Sequence, residues 1–153
     1  MKGITKALVF SSAALLSTSV LAFGERGQWS SGWGQGTSEY MAVNQYGDEL
    51  YIACNPYEPV SMTLTVGDRT YGGGRYADGD FSLIIDGTEV QTPYDTVSRV
   101  GANNFFYAWE NLRSATSIVA LTSDGVHVEL PSKGSFDALP EAFTEGYPCR
   151  TEF

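Results

Sequence analysis

The chain of 153 residues has one histidine, two cysteines and nine lysines and arginines, and each shortage closes off a class of function. A structural zinc site draws several ligands from Cys, His and carboxylates, which a single His127 and two cysteines free for each other do not supply. Nucleic-acid binding needs clustered Lys and Arg against phosphate, and no such cluster occurs. A serine hydrolase would need His127 as its base with Ser123, Ser132 or a distant serine as nucleophile, yet no G-x-S-x-G elbow is present. The run Gly32, Gly34, Gly36 lacks the Lys-Ser or Lys-Thr of a phosphate loop. Asp68, Asp78, Asp80 and Asp86 miss the EF-hand spacing and its closing glutamate. The expectation is therefore no cofactor and no metal.

Long apolar runs are also missing. The longest, Ala7 to Leu21, follows a short basic head of Lys2 and Lys6, is broken by serines and ends at Val20-Leu21-Ala22. It is shorter than the roughly twenty residues needed to span a bilayer and has the layout of a secretory signal peptide cut after Ala22. That places residues 1–22 as a leader and 23–153 as one exported domain, periplasmic or secreted and not inserted in the membrane. The domain holds seven basic against eighteen acidic residues, a net charge of −11. Such a surface repels anionic partners and steers a basic protein toward itself.

In an oxidising compartment two cysteines are expected to pair. Cys54 and Cys149 would close a loop of 95 positions and tie the first hairpin to the tail.

What the chain does contain is a series of turn signals between alternating apolar runs. Residues 39–55 read as two strands folded on a two-residue turn at Gly47-Asp48, with Leu50, Ile52 and Cys54 sharing the inward face. Val60 to Val66 alternates cleanly. Asp86-Gly87 and Asp124-Gly125 each sit between short apolar strands, the strongest hairpin signal available. One helix is predicted over 104–115, capped by Asn103, with Phe105, Trp109 and Leu112 on its apolar stripe. A brief helical turn capped by Ser135 is expected to anchor Phe136, Leu139 and Phe143 in the core. The fold class is then α+β and β-rich: an antiparallel sheet of hairpins, about six or seven strands, with one main amphipathic helix packed on it and one disulfide. The order of these parts resembles the layout of many small periplasmic proteins, a resemblance that carries over no functional residue.

Two stretches are left for function. The leading segment 23–38, rich in Gly and Ser, carries Trp29 and Trp33, read as a lid laid over the core and also as candidate partner-binding residues. The segment 67–80 reads as a long loop whose glycines allow close approach and whose Tyr71, Arg75, Tyr76, Asp78 and Asp80 are candidate partner-binding residues. By elimination the leading expectation is a non-enzymatic binding protein, an inhibitor or immunity-type protein that engages a basic, envelope-acting protein. An accessory part of an envelope secretion or conjugation machine, or a small hydrolase of envelope polymers, are the alternatives.

Overall fold

The structure, a computed structural model, describes residues 23–153, and the leader expected over 1–22 lies outside them. Nine strands and two helices follow in the order β1 (Gln28–Gly34), β2 (Thr37–Val43), β3 (Glu49–Cys54), β4 (Ser61–Val66), β5 (Arg69–Gly72), β6 (Phe81–Ile85), β7 (Thr88–Gln91), α1 (Arg99–Ser114), β8 (Ile118–Thr122), β9 (His127–Leu130) and α2 (Ser135–Ala138). The chain is β-rich and α+β, as the hairpin signals predict. Its strands form two antiparallel sheets, a five-stranded meander β1-β2-β3-β4-β5 and a four-stranded sheet β7-β6-β8-β9.

Alternation decides which face of each sheet is buried. In the meander, Trp29, Tyr40, Ala42, Leu50, Ile52, Cys54, Met62, Leu64 and Tyr71 point inward across matched registers such as Tyr40↔Ile52 and Leu50↔Leu64. Phe81, Leu83, Ile85, Val90, Ile118, Ala120, Val128 and Leu130 do the same for the second sheet. The β8–β9 turn meets one edge of the meander, where Asp124 accepts from Arg69 Nη1 at 2.7 Å and Tyr71 Oη at 3.1 Å. The residue after β9 meets the other edge, where Trp29 Nε1 donates to Pro131 O at 2.8 Å. Strand β9 thus runs across the strands of the meander from edge to edge, the near-orthogonal manner of sheet packing.

The helix fills the space beside this crossing. Its Phe105, Ala108, Trp109 and Leu112 are buried, and Trp109 meets Tyr40 edge-on at 5.0 Å. It begins five residues earlier than the sequence predicts. Ser98, not Asn103, is the cap: its hydroxyl accepts from Gly101 N at 3.0 Å and donates to Asp95 Oδ2 at 2.7 Å. Gly101 permits this early start because a Cβ there would lie 1.7 Å from Asp95 O. Arg113 and Glu110 pair at 3.4 Å, and Arg113 Nε also donates to Leu139 O at 2.9 Å.

Cys54 and Cys149 are bonded, with Cα atoms 4.7 Å apart. The tail is further stitched down by Val60 N to Arg150 O at 2.8 Å and Glu152 N to Thr96 O at 3.0 Å.

Four local expectations change. The first-hairpin turn is not a two-residue turn: Asn44 organises a longer loop, its Oδ1 accepting from Tyr46 N and Asp48 N at 2.9 Å each. The segment 23–38 covers the core through Trp29 alone, Trp33 staying exposed, and it does so as a strand: residues 28–34 form β1, whose turn at Gln35 (φ 53) and Gly36 (φ 82) has both central residues left-handed, as a type I′ hairpin requires. Gly134, not Ser135, precedes α2, and the Ser135 hydroxyl instead donates to Arg113 O at 3.2 Å. Of the three expected tail anchors only Leu139 is buried. Phe136 lies over the Arg113 guanidinium at 5.1 Å and Phe143 is largely exposed against Phe106.

Candidate functional site

The meander ends at a short strand. β5 pairs with β4 only from Val66↔Arg69 to Thr63↔Gly72, so Ser61 and Met62 extend beyond its last partner. Past Gly72 (φ 135) the chain turns away and folds back on the outer edge of β5, with Gly72 N donating to Gly79 O at 3.0 Å, Asp78 N to Thr70 O at 2.7 Å and Thr70 N to Asp78 Oδ2 at 2.9 Å. The tip is closed by Ala77 N to Gly74 O at 3.1 Å, which leaves Arg75 and Tyr76 projecting; Tyr76 is 89% exposed.

Where β5 departs from β4, a groove of about 520 Å³ opens between Glu58–Thr63, Gly73–Gly74 and Tyr94–Val97. Its floor is apolar, built by the buried Val60, Met62 and Tyr94. Tyr94 is fixed from behind by stacking on Phe81 at 5.0 Å and by donating its phenol to Asp80. Burial first, and the adjacent Asp80 carboxylate second, hold that phenol above its usual range, so it stays a neutral donor. The lip carries Glu58 and Asp95 and no basic residue. Beside it Tyr57 stands exposed between Pro56 and Pro59, on a turn in which Asn55 Oδ1 accepts from Tyr57 N and Glu58 N. Val97 and Val100 continue the exposed apolar surface along the start of α1.

The structure divides the residues that the sequence nominates. Arg75 and Tyr76 are at the surface beside the groove. Tyr71, expected as a contact residue, is only 2% exposed and serves the core and Asp124. Asp78 and Asp80 each accept an internal hydrogen bond, from Thr70 N and from the Tyr94 phenol, and so shape the loop. Trp29 is buried, while Trp33 is 74% exposed. Both lie on β1, at the opposite edge of the meander from β5, about 19 Å away at the usual strand spacing. The tryptophans and the glycine loop therefore cannot form one surface.

Sequence reasoning missed Tyr57 beside the groove, and Glu58 and Val97 that line it. The signal for the first two was present: an aromatic and an acid enclosed by prolines that cannot continue a ladder. His127, the base of the hydrolase alternative, stands exposed on β9 opposite Leu121, and its imidazole makes no hydrogen bond among the described residues. Ser123 Oγ accepts from Asp80 N at 3.1 Å. Among the described residues no group of three or more His, Cys, Asp or Glu side chains converges as a metal site, and no helix is long and apolar enough to cross a membrane.

The protein-family model described as YfjT matches residues 27–139, so the chain belongs to the YfjT family. No curated protein and no solved structure matches it.

Proposed function

We propose that this YfjT-family member is an exported, non-enzymatic binding protein that takes a basic segment of another envelope protein into the groove beside the glycine loop. The observation that carries the reading is the groove's construction: an apolar floor of Val60, Met62 and Tyr94, an acidic lip of Glu58 and Asp95, and exposed Tyr57 and Tyr76 beside it. A lysine or arginine side chain suits such a place, because its methylenes lie on apolar surface while its charge reaches a carboxylate. Aromatic residues around the site supply the rigid contact area typical of interface hot spots. The net charge of −11 over residues 23–153 adds steering toward a basic partner. Export to the periplasm rests on the leader-like residues 1–22, and the Cys54–Cys149 bond is consistent with it. An inhibitor or immunity-type role is the form this binding takes in our reading. An accessory role in an envelope secretion or conjugation machine would use the same groove.

The test is capture of envelope proteins on the immobilised protein, with and without changes in the groove. A basic partner should be retained at about 50 mM salt, be released toward about 500 mM, and be lost on Glu58→Lys or Val97→Lys. Retention of nothing at low salt, or capture indifferent to both substitutions, overturns the reading.

A further inference from the structure

The free edge of β1 is open over half its length. Side by side with β2 it follows the register Gly34↔Thr37, Gly32↔Glu39 and Ser30↔Met41. A two-residue hairpin makes the pair flanking its turn a hydrogen-bonded one, so Gly34, Gly32 and Ser30 bond inward to β2. Trp29, Ser31 and Trp33 must then turn their N–H and C=O groups outward. The contact at Trp29 agrees with this parity, since its N donates outward to Lys133 O at 2.9 Å. Beyond that point the cover ends. Among the described residues no hydrogen bond reaches the backbone of Ser31 or Trp33.

The other strand edges are occupied in some way. The returning loop caps β5, Asn104 Nδ2 donates to Gln91 O on β7 at 2.8 Å, and Asn44 Nδ2 donates to Glu129 O on β9 at 3.1 Å. Open edges are ordinarily guarded by charge, proline or a bulge. The strand itself supplies no charge and no proline: Gly27 to Ser38 carries neither, in a chain with eighteen acidic side chains. A groove of about 440 Å³ runs beside this edge, bounded by Phe23, Trp29, Ser31 and, across from them, Lys133, Gly134 and Asp137.

We infer that β1 pairs antiparallel with β1 of a second copy of this chain, about a two-fold axis through Gly32. The open groups impose this geometry. Ser31 and Trp33 are two positions apart and symmetric about Gly32, so Ser31 of each copy faces Trp33 of the other. Each such pair exchanges two hydrogen bonds. Gly32 meets Gly32 at the close, non-bonded position, with the Phe23 ring of each copy lying over its own Gly32. Each exposed Trp33 then lies over Ser31 of the second copy and loses water contact. A charged peptide gains nothing from a neutral run, whereas the run matches itself, and an isologous two-fold contact is closed. The two five-stranded meanders become one continuous sheet.

Sedimentation velocity of the intact protein from about 5 to about 500 µM tests this, together with hydrogen exchange at the Ser31 and Trp33 amides. The expected result is a reversible monomer–dimer equilibrium in which those two amides become protected as concentration rises. Trp33→Lys places a guard charge on an exposed site and should weaken association by about tenfold or more, leaving the melting midpoint of the dilute protein unchanged. Ser31→Pro removes one outward donor and should do the same. Capture of a basic partner in the groove should survive Trp33→Lys, which separates the two proposals. A protein that stays monomeric over the whole range overturns the inference, as does a dimer that Trp33→Lys does not weaken.

Discussion

Reducing the Cys54–Cys149 bond is the perturbation whose size can be worked out most directly. The bond spans 95 positions. For a loop of that length the chain-entropy model assigns about 4 to 5 kcal/mol, acting by restricting the unfolded chain. The folded state should change little, because the tail keeps other attachments: Val60 N to Arg150 O, Glu152 N to Thr96 O, and the Phe153 ring beside the Arg99 guanidinium at 5.8 Å. Residues 23–153 unfold with an entropy of roughly 0.28 kcal/mol/K at the average value per residue, so the loss corresponds to a fall in Tm of about 15 °C. Thermal melts followed by near- and far-ultraviolet circular dichroism, with and without reductant, measure it. A Cys54→Ser, Cys149→Ser double variant provides a reductant-free control. Spectra of the folded protein should superimpose while the midpoint drops. A midpoint that moves by less than about 3 °C would refute the reasoning, since it would mean that the closed loop restricts the unfolded chain hardly at all.

Two further predictions concern single side chains. The Tyr147 hydroxyl is buried without a hydrogen-bond partner among the described residues, against Trp109 and Phe106, and burial followed by the nearby Glu110 drives its pKa well above the usual range. Tyr147→Phe should therefore stabilise the fold by about 1 kcal/mol, read by urea denaturation; a loss of that size would show that the hydroxyl is bonded after all. Asp86 accepts from Thr116 Oγ1, Thr116 N and Ser117 N, and Asp124 accepts from Thr122, Tyr71 and Arg69, which in both cases holds the carboxyl below its usual value. A depressed folded-state pKa gives stability that is present above the unfolded value near 3.8 and is lost as pH falls through the folded one. The protein should thus lose stability below about pH 4, and Asp86→Asn should flatten that acid limb in a denaturation series; an unchanged slope would count against these hydrogen bonds.

Particular residues show how much could be read in advance. Asp86 (φ 47) and Gly87 (φ 85) form the left-handed pair that an Asp-Gly hairpin demands, and β6 and β7 follow from the apolar runs on either side. Phe105, Trp109 and Leu112 gave the helix stripe, and an even cysteine count gave the bond. β1 escaped notice because QWSSGWG has small residues where an alternating apolar pattern would be, and its pairing comes from a Gln-Gly turn and from β2. The groove was half visible: the glycines that form one wall were singled out, but Glu58 and Val97, which line it too, come from distant parts of the chain. Tyr71 was assigned to the surface from its place in a glycine-rich stretch, where only β4 and Asp124 could show that it points inward.

By itself the sequence determined what depends on neighbours along the chain: the Asp-Gly hairpins, the apolar period of the main helix and of the cleanly alternating strands, the net charge and the single possible cysteine pairing. Those follow from steric limits on each residue and from side-chain periodicity. The tertiary structure alone decided which aromatics are covered, with Trp29 under Pro131 while Trp33 stays in water. It also decided the division into two crossed sheets, the groove where β5 leaves β4, and the open edge of β1. Burial and edge pairing depend on what arrives from far along the chain, and a local pattern of small and aromatic residues is compatible with either outcome.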